Sequence, residues 1–83
     1  MRTIHDPRYA RLIRFLTQRR KELGVTQAEV GKLLGWHRTA VSNIETLERR
    51  ADVLEVYELC RIYGLDFAAL GRLLDGGRDR SGR

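Results

Sequence analysis

The chain has 83 residues, which is the size of one domain with a modest core. Its 16 Lys and Arg outnumber its 11 Asp and Glu and give a net charge of +5. This balance favours a polyanionic partner but does not establish one, because a solvated basic surface has the same composition. The hydrophobic fraction of 42% excludes a chain that is disordered throughout.

The single cysteine, Cys60, excludes an intramolecular disulfide and a multi-cysteine metal site. It lies in an apolar helical stretch, so we predict a buried structural thiol rather than a reactive one. No stretch approaches the roughly 20 apolar residues of a membrane span, and the N-terminus lacks the apolar segment of a signal peptide. These features predict a cytoplasmic protein.

The first predicted helix begins with Asp6 as its N-cap and Pro7 at its first helical position. Residues 1–6 are predicted to be a flexible N-terminal arm before it. Gly24 ends the helix in the left-handed conformation that favours glycine. Apolar residues at helical spacing form its inner stripe, namely Tyr9, Leu12, Ile13 and Leu16. In the basic run Arg19-Arg20-Lys21 we expect Arg20 to turn inward and part of the rest to help bind phosphate.

Two short helices joined by a sharp turn are predicted next. Thr26 and Glu29 have the Thr-x-x-Glu spacing of a capping box, and Gly35 ends helix two. Helix two offers three apolar residues to the core, Val30, Leu33 and Leu34. Helix three runs from about 37 to 45. Its spacing points Val41 and Ile44 inward and leaves Thr39, Ser42 and Asn43 on another face.

The last two helices are rich in apolar residues. Asp52 and Glu55 repeat the capping-box spacing at the start of helix four, and Gly64 ends that helix. One face of helix four is predicted to hold Val53, Val56, Tyr57, Cys60 and Tyr63, with Leu54, Leu59 and Ile62 on other sides. Asp66 caps helix five, whose stripe is Phe67, Leu70, Leu73 and Leu74.

The pattern as a whole predicts an all-α, compact five-helix bundle. No strand signal occurs, and the helices are joined by short connections. The folded domain is predicted over residues 7–74. Residues 75–83 contain no apolar side chain and are predicted to be a disordered basic tail.

The outward face of helix three carries side chains that can read DNA bases. The fork of Arg38 can donate two hydrogen bonds to guanine O6 and N7, and Asn43 can pair with adenine N6 and N7. The Thr39 methyl can contact a thymine methyl. On a basic helical chain, this combination favours a DNA-binding module.

At Thr26-Gln27, Gly35 and Ser42-Asn43-Ile44-Glu45 the sequence resembles the Cro/C1-type (XRE-like) helix-turn-helix family. The resemblance covers about residues 8–74, and the segment from 48 to 55 also looks like one frequent in small members. It implies a lambda-repressor-like fold and a transcriptional regulator that binds DNA. The size resembles that of small regulators of phages, integrative elements and restriction-modification systems.

The resemblance also implies residue roles. The positions that contact bases match Arg38, Thr39, Ser42 and Asn43. The positions that contact DNA phosphates match Gln27, His37, Arg49 and Arg50. A salt bridge between helices one and three matches Arg20 and Glu45.

The chain departs from the family pattern in the helix-turn-helix. Gly31 replaces a usual small alanine, which permits close helix packing but costs about 1 kcal/mol of helix propensity. Trp36 is larger than the usual Val or Ile of the turn, and we expect it to pack there rather than stack on DNA. His37 replaces the usual Ser or Thr N-cap and is expected to cap helix three more weakly.

A further departure follows helix three. Leu47 stands where a glycine commonly ends this helix. Either Leu47 is strained at positive φ, or helix three continues past Glu45 and the loop differs. The second alternative would change the reach of Arg49 and Arg50 to DNA.

The leading functional prediction is a homodimeric repressor or autoregulatory switch on an inverted-repeat operator. One domain reads too few base pairs to select a genomic site, and no sensor domain is expected. Surplus apolar surface on helices four and five favours a dimer, with Val56, Phe67, Leu70 and Leu74 as candidates. The alternative is that this surface packs against helix one. An activating role would need contact with RNA polymerase.

Two other functions stay open. The fold could serve as a protein-binding module, such as an antitoxin or anti-activator that holds its partner through helices four and five. It could also coat DNA without sequence preference, which predicts a steep salt dependence. No arrangement supports nucleophilic catalysis, a cofactor or a metal site, so we predict a protein that is not an enzyme.

Overall fold

The computed structural model describes residues 6–76, and this part of the chain consists of five α-helices. They are α1 (Pro7–Leu23), α2 (Gln27–Leu34), α3 (Ala40–Glu45), α4 (Val53–Ile62) and α5 (Phe67–Asp75). α1 packs against α3 and α5, α2 against α3, and α4 against α5. The predicted all-α five-helix fold is confirmed. α5 includes Asp75, and the rest of the predicted arm and tail, 1–5 and 77–83, lies outside the described residues.

The helix starts follow from local hydrogen bonding. Asp6, Thr26, Asp52 and Asp66 are the N-caps of α1, α2, α4 and α5, and each side chain accepts a bond from a backbone N–H of the first turn. Both predicted capping boxes are complete, since the Glu at the third helical position bonds back to the N-cap amide. These bonds satisfy donors that a helix start leaves unpaired.

Four helices end in the same way, with one residue at positive φ. Gly24, Gly35 and Gly64 end α1, α2 and α4 at φ between 70° and 73°. Leu47 follows α3 at φ 67° and is the one non-glycine residue at positive φ among residues 6–76. In each case the amide of this residue and the amide of the residue after it donate back to carbonyls of the last helical turn, which is the Schellman arrangement.

Leu47 decides between the two alternatives for the end of helix three. α3 stops at Glu45, and Leu47 donates its N–H to the Ile44 carbonyl at 3.1 Å. Glu48 then donates to the Asn43 carbonyl at 2.9 Å. Leu47 therefore keeps the turn that glycine usually forms, at a cost of roughly 1–2 kcal/mol, while its side chain packs against the core.

All five helices contribute to the core, and most predicted inward residues are in it. The fully buried side chains are Ile13, Val30, Val41, Ile44, Cys60 and Tyr63. Burial raises the pKa of the Cys60 thiol, in keeping with the structural role predicted for it. Burial and the nearby Glu45 carboxylate raise the pKa of Tyr63 to about 12.

One predicted core contribution is wrong, and two residues of the predicted face of helix four are exposed. Leu33 is 69% exposed on α2, because α3 covers only the side of α2 that carries Val30. Val53 and Tyr57 are 65% and 46% exposed, although they share a helical face with buried Val56 and Cys60. The helix partners of α4 cover only part of its wide apolar arc, so the edges of that arc remain in solvent. None of the helices in 6–76 has the length and apolar content needed to cross a membrane.

Candidate nucleic-acid interface

The turn between α2 and α3 is compact and anchored in the core. Gly35 reverses the chain at φ 70°, and Trp36 donates its backbone N–H to the Gly31 carbonyl at 2.9 Å. The Trp36 side chain is half-buried and packs against the core, as expected. A Cβ at Gly31 would meet the carbonyl oxygens of His37 and Trp36 at 3.8 and 4.0 Å. The turn therefore crosses Gly31 closely but leaves ordinary van der Waals space.

Helix three begins later than predicted. α3 starts at Ala40 rather than near His37, and Arg38 and Thr39 form a turn before it. Ala40 donates its N–H to the His37 carbonyl at 2.9 Å, a bond three residues back rather than four. His37 Nδ1 lies 3.3 Å from the Thr39 amide nitrogen and 3.0 Å from its Oγ1. The imidazole thus acts as an acceptor at the start of the turn, where Ser or Thr would otherwise cap.

The predicted base-contacting residues form one outward face. Val41 and Ile44 are 1% exposed, which fixes the inner side of α3. Arg38 and Thr39 are exposed, and Ser42 and Asn43 are half-buried beside them. The side chains of Arg38, Ser42 and Asn43 form no hydrogen bond or ion pair with another described residue. Their polar groups remain available to a ligand.

The predicted pair Arg20 and Glu45 is present and forms a larger network. Arg20 donates to both Glu45 carboxylate oxygens, at 2.7 and 3.0 Å, and to the Val25 carbonyl at 2.8 Å. The Arg20 and Glu45 side chains are only 11% and 10% exposed. The hydrogen bonds that Arg20 donates to Glu45 raise the pKa of Arg20. This pair ties α1, the α1–α2 loop and α3 together, so it positions the recognition face.

Gln27 joins the same network at the start of α2. Its Nε2 donates to Glu45 Oε1 at 2.7 Å, which leaves one amide hydrogen for another acceptor. An open cleft of about 450 Å³ adjoins it, lined by Arg20, Lys21, Gly24, Val25, Thr26 and Gln27. The residue predicted to bind phosphate therefore lies at a cleft open to solvent and next to α3.

The loop after α3 places Arg49 differently from the expectation. Arg49 donates to both Glu55 carboxylate oxygens, at 3.0 and 2.6 Å, and to the Arg50 carbonyl at 3.1 Å. These bonds raise the pKa of Arg49 and lower that of Glu55. Arg49 thus braces the loop against α4, and its phosphate contact stays a prediction. Arg50 is exposed and forms no side-chain bond within 6–76, so its phosphate contact stays a prediction.

A family model described as helix-turn-helix matches residues 16–70, a segment that includes α2, the turn and α3. The chain belongs to the Cro/C1-type helix-turn-helix family. It is therefore a DNA-binding helix-turn-helix regulator, and the confirmed fold is that of lambda-repressor-like proteins. Neither a curated protein nor a solved structure matches the chain.

In this helix-turn-helix protein the four dimer candidates are not equivalent. Val56 and Leu70 are 6% and 4% exposed, so they belong to the core of the single chain. This agrees with the alternative that the surface packs within the chain, against helix one. Phe67 is 39% exposed and Leu74 is half-buried. All four line a groove of about 390 Å³ between α1, α4 and α5, with Tyr9, Leu12 and Val53 among its other walls. Val56 and Leu70 can contact a partner only through that groove.

Sequence reasoning missed two features of this helix-turn-helix domain. One is Glu55 as the partner of Arg49, which the capping box could have indicated. The box turns the Glu55 carboxylate back toward Asp52, and this brings it next to the preceding loop. The other is which residues form the exposed part of the predicted apolar surface on α4 and α5. It is an apolar patch formed by Val53, Leu54, Tyr57 and Phe67, of which only Phe67 was among the candidates.

Proposed function

We propose that this helix-turn-helix protein is a sequence-specific transcriptional regulator that places α3 and the preceding turn in the DNA major groove. Arg38 carries the proposal. Its side chain is exposed just before α3 and has no partner within 6–76. The opposite side of α3 is held in the core by Val41 and Ile44, so Arg38 is presented from a fixed scaffold.

The chemistry of the outward face supports base reading. Arg38 can donate two parallel hydrogen bonds to guanine O6 and N7, and each such pair discriminates by about 1–3 kcal/mol. Asn43 lies five residues further along and can pair with adenine. Thr39 and Ser42 lie between them, where a methyl or hydroxyl can contact a base edge or the backbone.

Phosphate contacts would set the orientation of this face. Gln27 retains one free amide hydrogen at the cleft, and His37 is exposed at the start of the turn. Arg50 adds a free cation in the loop after α3. Contacts of this kind fix the register of a protein on DNA and carry no sequence information themselves.

We propose further that the regulator acts as a homodimer on an inverted repeat. A single recognition face reads only a few base pairs, whereas a two-fold dimer reads two half-sites about 10 base pairs apart, centre to centre. The α4–α5 apolar patch supports this, because Leu54 and Val53 are 71% and 65% exposed beside the exposed Tyr57. Contiguous apolar surface of this kind marks interaction sites.

The regulatory role that fits a small operator-binding dimer is that of a repressor or autoregulatory switch. Incubating the purified protein with sheared genomic DNA at about 150 mM salt, and sequencing the bound fragments, tests the proposal. A shared inverted repeat upstream of its own gene is the expected result. Uniform recovery would identify a nonspecific DNA-coating protein, and no recovery would favour the protein-binding alternative, an antitoxin or anti-activator.

Replacement of Arg38 by alanine tests the residue that carries the proposal. Arg38→Ala should weaken operator binding by about 1–3 kcal/mol per half-site and abolish the preference at one base pair in each half-site. Binding titrations on operators with every base at that position provide the measurement. Arg72→Ala on α5 is the control, because Arg72 is also an exposed arginine. Equal losses in the two variants would contradict base reading by Arg38.

A further inference from the structure

The three basic residues at the end of α1 differ in the partners of their side chains. Arg19 donates its Nε to the Tyr63 carbonyl at 3.1 Å, at the end of α4. Arg20 is turned inward and is held by Glu45 and Val25. Lys21 is exposed and forms no hydrogen bond or ion pair with any residue from 6 to 76. Of this run, Lys21 alone has no side-chain partner among the residues that the structure describes.

Lys21 lies next to the predicted phosphate contact of α2. It lines the 450 Å³ cleft together with Thr26 and Gln27. The other cation of this cleft, Arg20, already donates to three oxygen atoms and cannot serve an outside anion without breaking the core network. An anion that approaches Gln27 would therefore meet the Lys21 ammonium group.

The charge of Lys21 continues along the outer face of α1. Arg14 and Lys21 are seven residues apart, so they lie on the same helical face about 10 Å from each other. Gln18 lies between them, and all three side chains are exposed. We name this row the α1 basic strip. Arg14, like Lys21, has no ion-pair partner among the described residues.

The carboxylates nearest in sequence do not neutralise the strip. Glu22 faces Arg19, with 3.9 Å between its Oε1 and the Arg19 Nη1. Glu29 is held in the capping box of α2, where it accepts from the Thr26 amide at 2.8 Å. The strip is therefore a free basic surface that is continuous, through Lys21, with the DNA-reading surface.

We propose that the α1 basic strip binds the DNA backbone beside the half-site, with Lys21 and Arg14 each neutralising a phosphate. The occupant is duplex DNA because the strip is purely basic and polar and adjoins the DNA interface at Gln27. Its length of about 10 Å matches the rise of about three nucleotides of one strand. This inference rests on the proposed function, since it extends the same interface from the helix-turn-helix onto α1.

The salt dependence of DNA binding tests the strip. The probe is a duplex of about 30 base pairs that carries the recovered repeat, titrated between about 50 and 200 mM salt. Because the proposed dimer carries two copies of each residue, Lys21→Ala and Arg14→Ala should each reduce the slope of log K against log salt by about 1.8, and the double variant by about 3.6. Binding should weaken to the same degree on operator and on scrambled DNA, because phosphates carry no sequence information.

Lys32→Ala is the matched control. Lys32 is the other lysine of the chain, is exposed, and lies in the last turn of α2, away from the cleft. The slope of log K against log salt for Lys32→Ala should equal that of the wild-type protein. The proposed role of the strip would be contradicted if Lys21→Ala or Arg14→Ala kept the wild-type slope, or if Lys32→Ala reduced the slope equally. Neither result would contradict base reading by Arg38. Failure of the wild-type protein to bind any duplex would instead overturn the proposed function.

Discussion

At the scale of single residues, Leu47 shows a conflict between backbone and side chain. Its φ of 67° lies in the left-handed region, where a Cβ is unfavourable. Its side chain nevertheless packs against the core, and the turn that it occupies satisfies the last carbonyls of α3. The Schellman bonds need only the positive φ, so what the leucine side chain adds at this position is its packing against the core.

Two substitutions separate the strain at Leu47 from its packing. Leu47→Ala and Leu47→Gly both remove the packing, but only glycine also removes the strain. We expect the glycine variant to be more stable than the alanine variant by about 1 kcal/mol, measured by urea unfolding. Thr46, at φ −87°, is the control position. Thr46→Ala should be more stable than Thr46→Gly by about 0.4–1 kcal/mol. If the alanine variant were also the more stable one at Leu47, the turn would not be strained.

At the scale of elements, α2 contains two glycines with opposite requirements. Gly35 ends the helix at φ 70°, where any other residue is strained. Gly31 lies inside the helix, and the nearest atom to a Cβ there would be 3.8 Å away. The close crossing of the turn over α2 therefore accepts alanine as well as glycine, and Gly31 only lowers the helix propensity.

Alanine at these two positions should change stability in opposite directions. Gly31→Ala should raise the free energy of unfolding by about 1 kcal/mol, because the helix gains propensity without a clash. For a domain of this size that corresponds to a rise of about 4–8 °C in the melting temperature. Gly35→Ala should lower stability by at least as much. A destabilised Gly31→Ala protein would mean that the turn packs more tightly on α2 than the structure shows.

At the scale of the whole molecule, the α4–α5 apolar patch joins the groove beneath it. Tyr57 and Phe67 stack edge to face with ring centroids 5.8 Å apart. Val53 and Phe67 also line the groove whose floor includes Val56 and Leu70. A second copy seated here would cover the exposed side chains and reach the buried ones through the groove. This surface is on α4 and α5, whereas the predicted base contacts are on α3 and the turn before it.

A charge introduced on the patch should dissociate the dimer. Burial of one leucine contributes about 1.5–3 kcal/mol, and a symmetric dimer buries two copies, so Leu54→Glu should raise the dimer Kd by about 100-fold or more. Sedimentation equilibrium measures this directly. Leu33→Glu is the control, because Leu33 is 69% exposed and Leu54 is 71% exposed. An unchanged dimer in Leu54→Glu, or a monomeric wild-type protein, would contradict this interface.

The sequence by itself determined the features that depend on neighbouring residues. Asp6-Pro7, Thr26-x-x-Glu29 and Asp52-x-x-Glu55 fixed three helix starts, because cap bonds join groups within one turn. Gly24, Gly35 and Gly64 fixed three helix ends for the same local reason. The inner face of α3 followed from the spacing of Val41 and Ile44, and the family resemblance implied the Arg20–Glu45 pair.

The tertiary structure alone decided how each face is used. Spacing shows which residues share a helical face, but the neighbouring helices decide how much of that face is buried. Leu33 was expected in the core and is exposed, and Val53 and Tyr57 are exposed on a face that they share with buried residues. The start of the six-residue α3 depends on the turn packed across Gly31. Whether helix three ends at Glu45 or continues past it depends on the core contacts of Leu47. Arg49 turned to Glu55 because the loop brings the two together in space. Local bonds define the helices, whereas packing between them decides which side chains remain free to bind DNA.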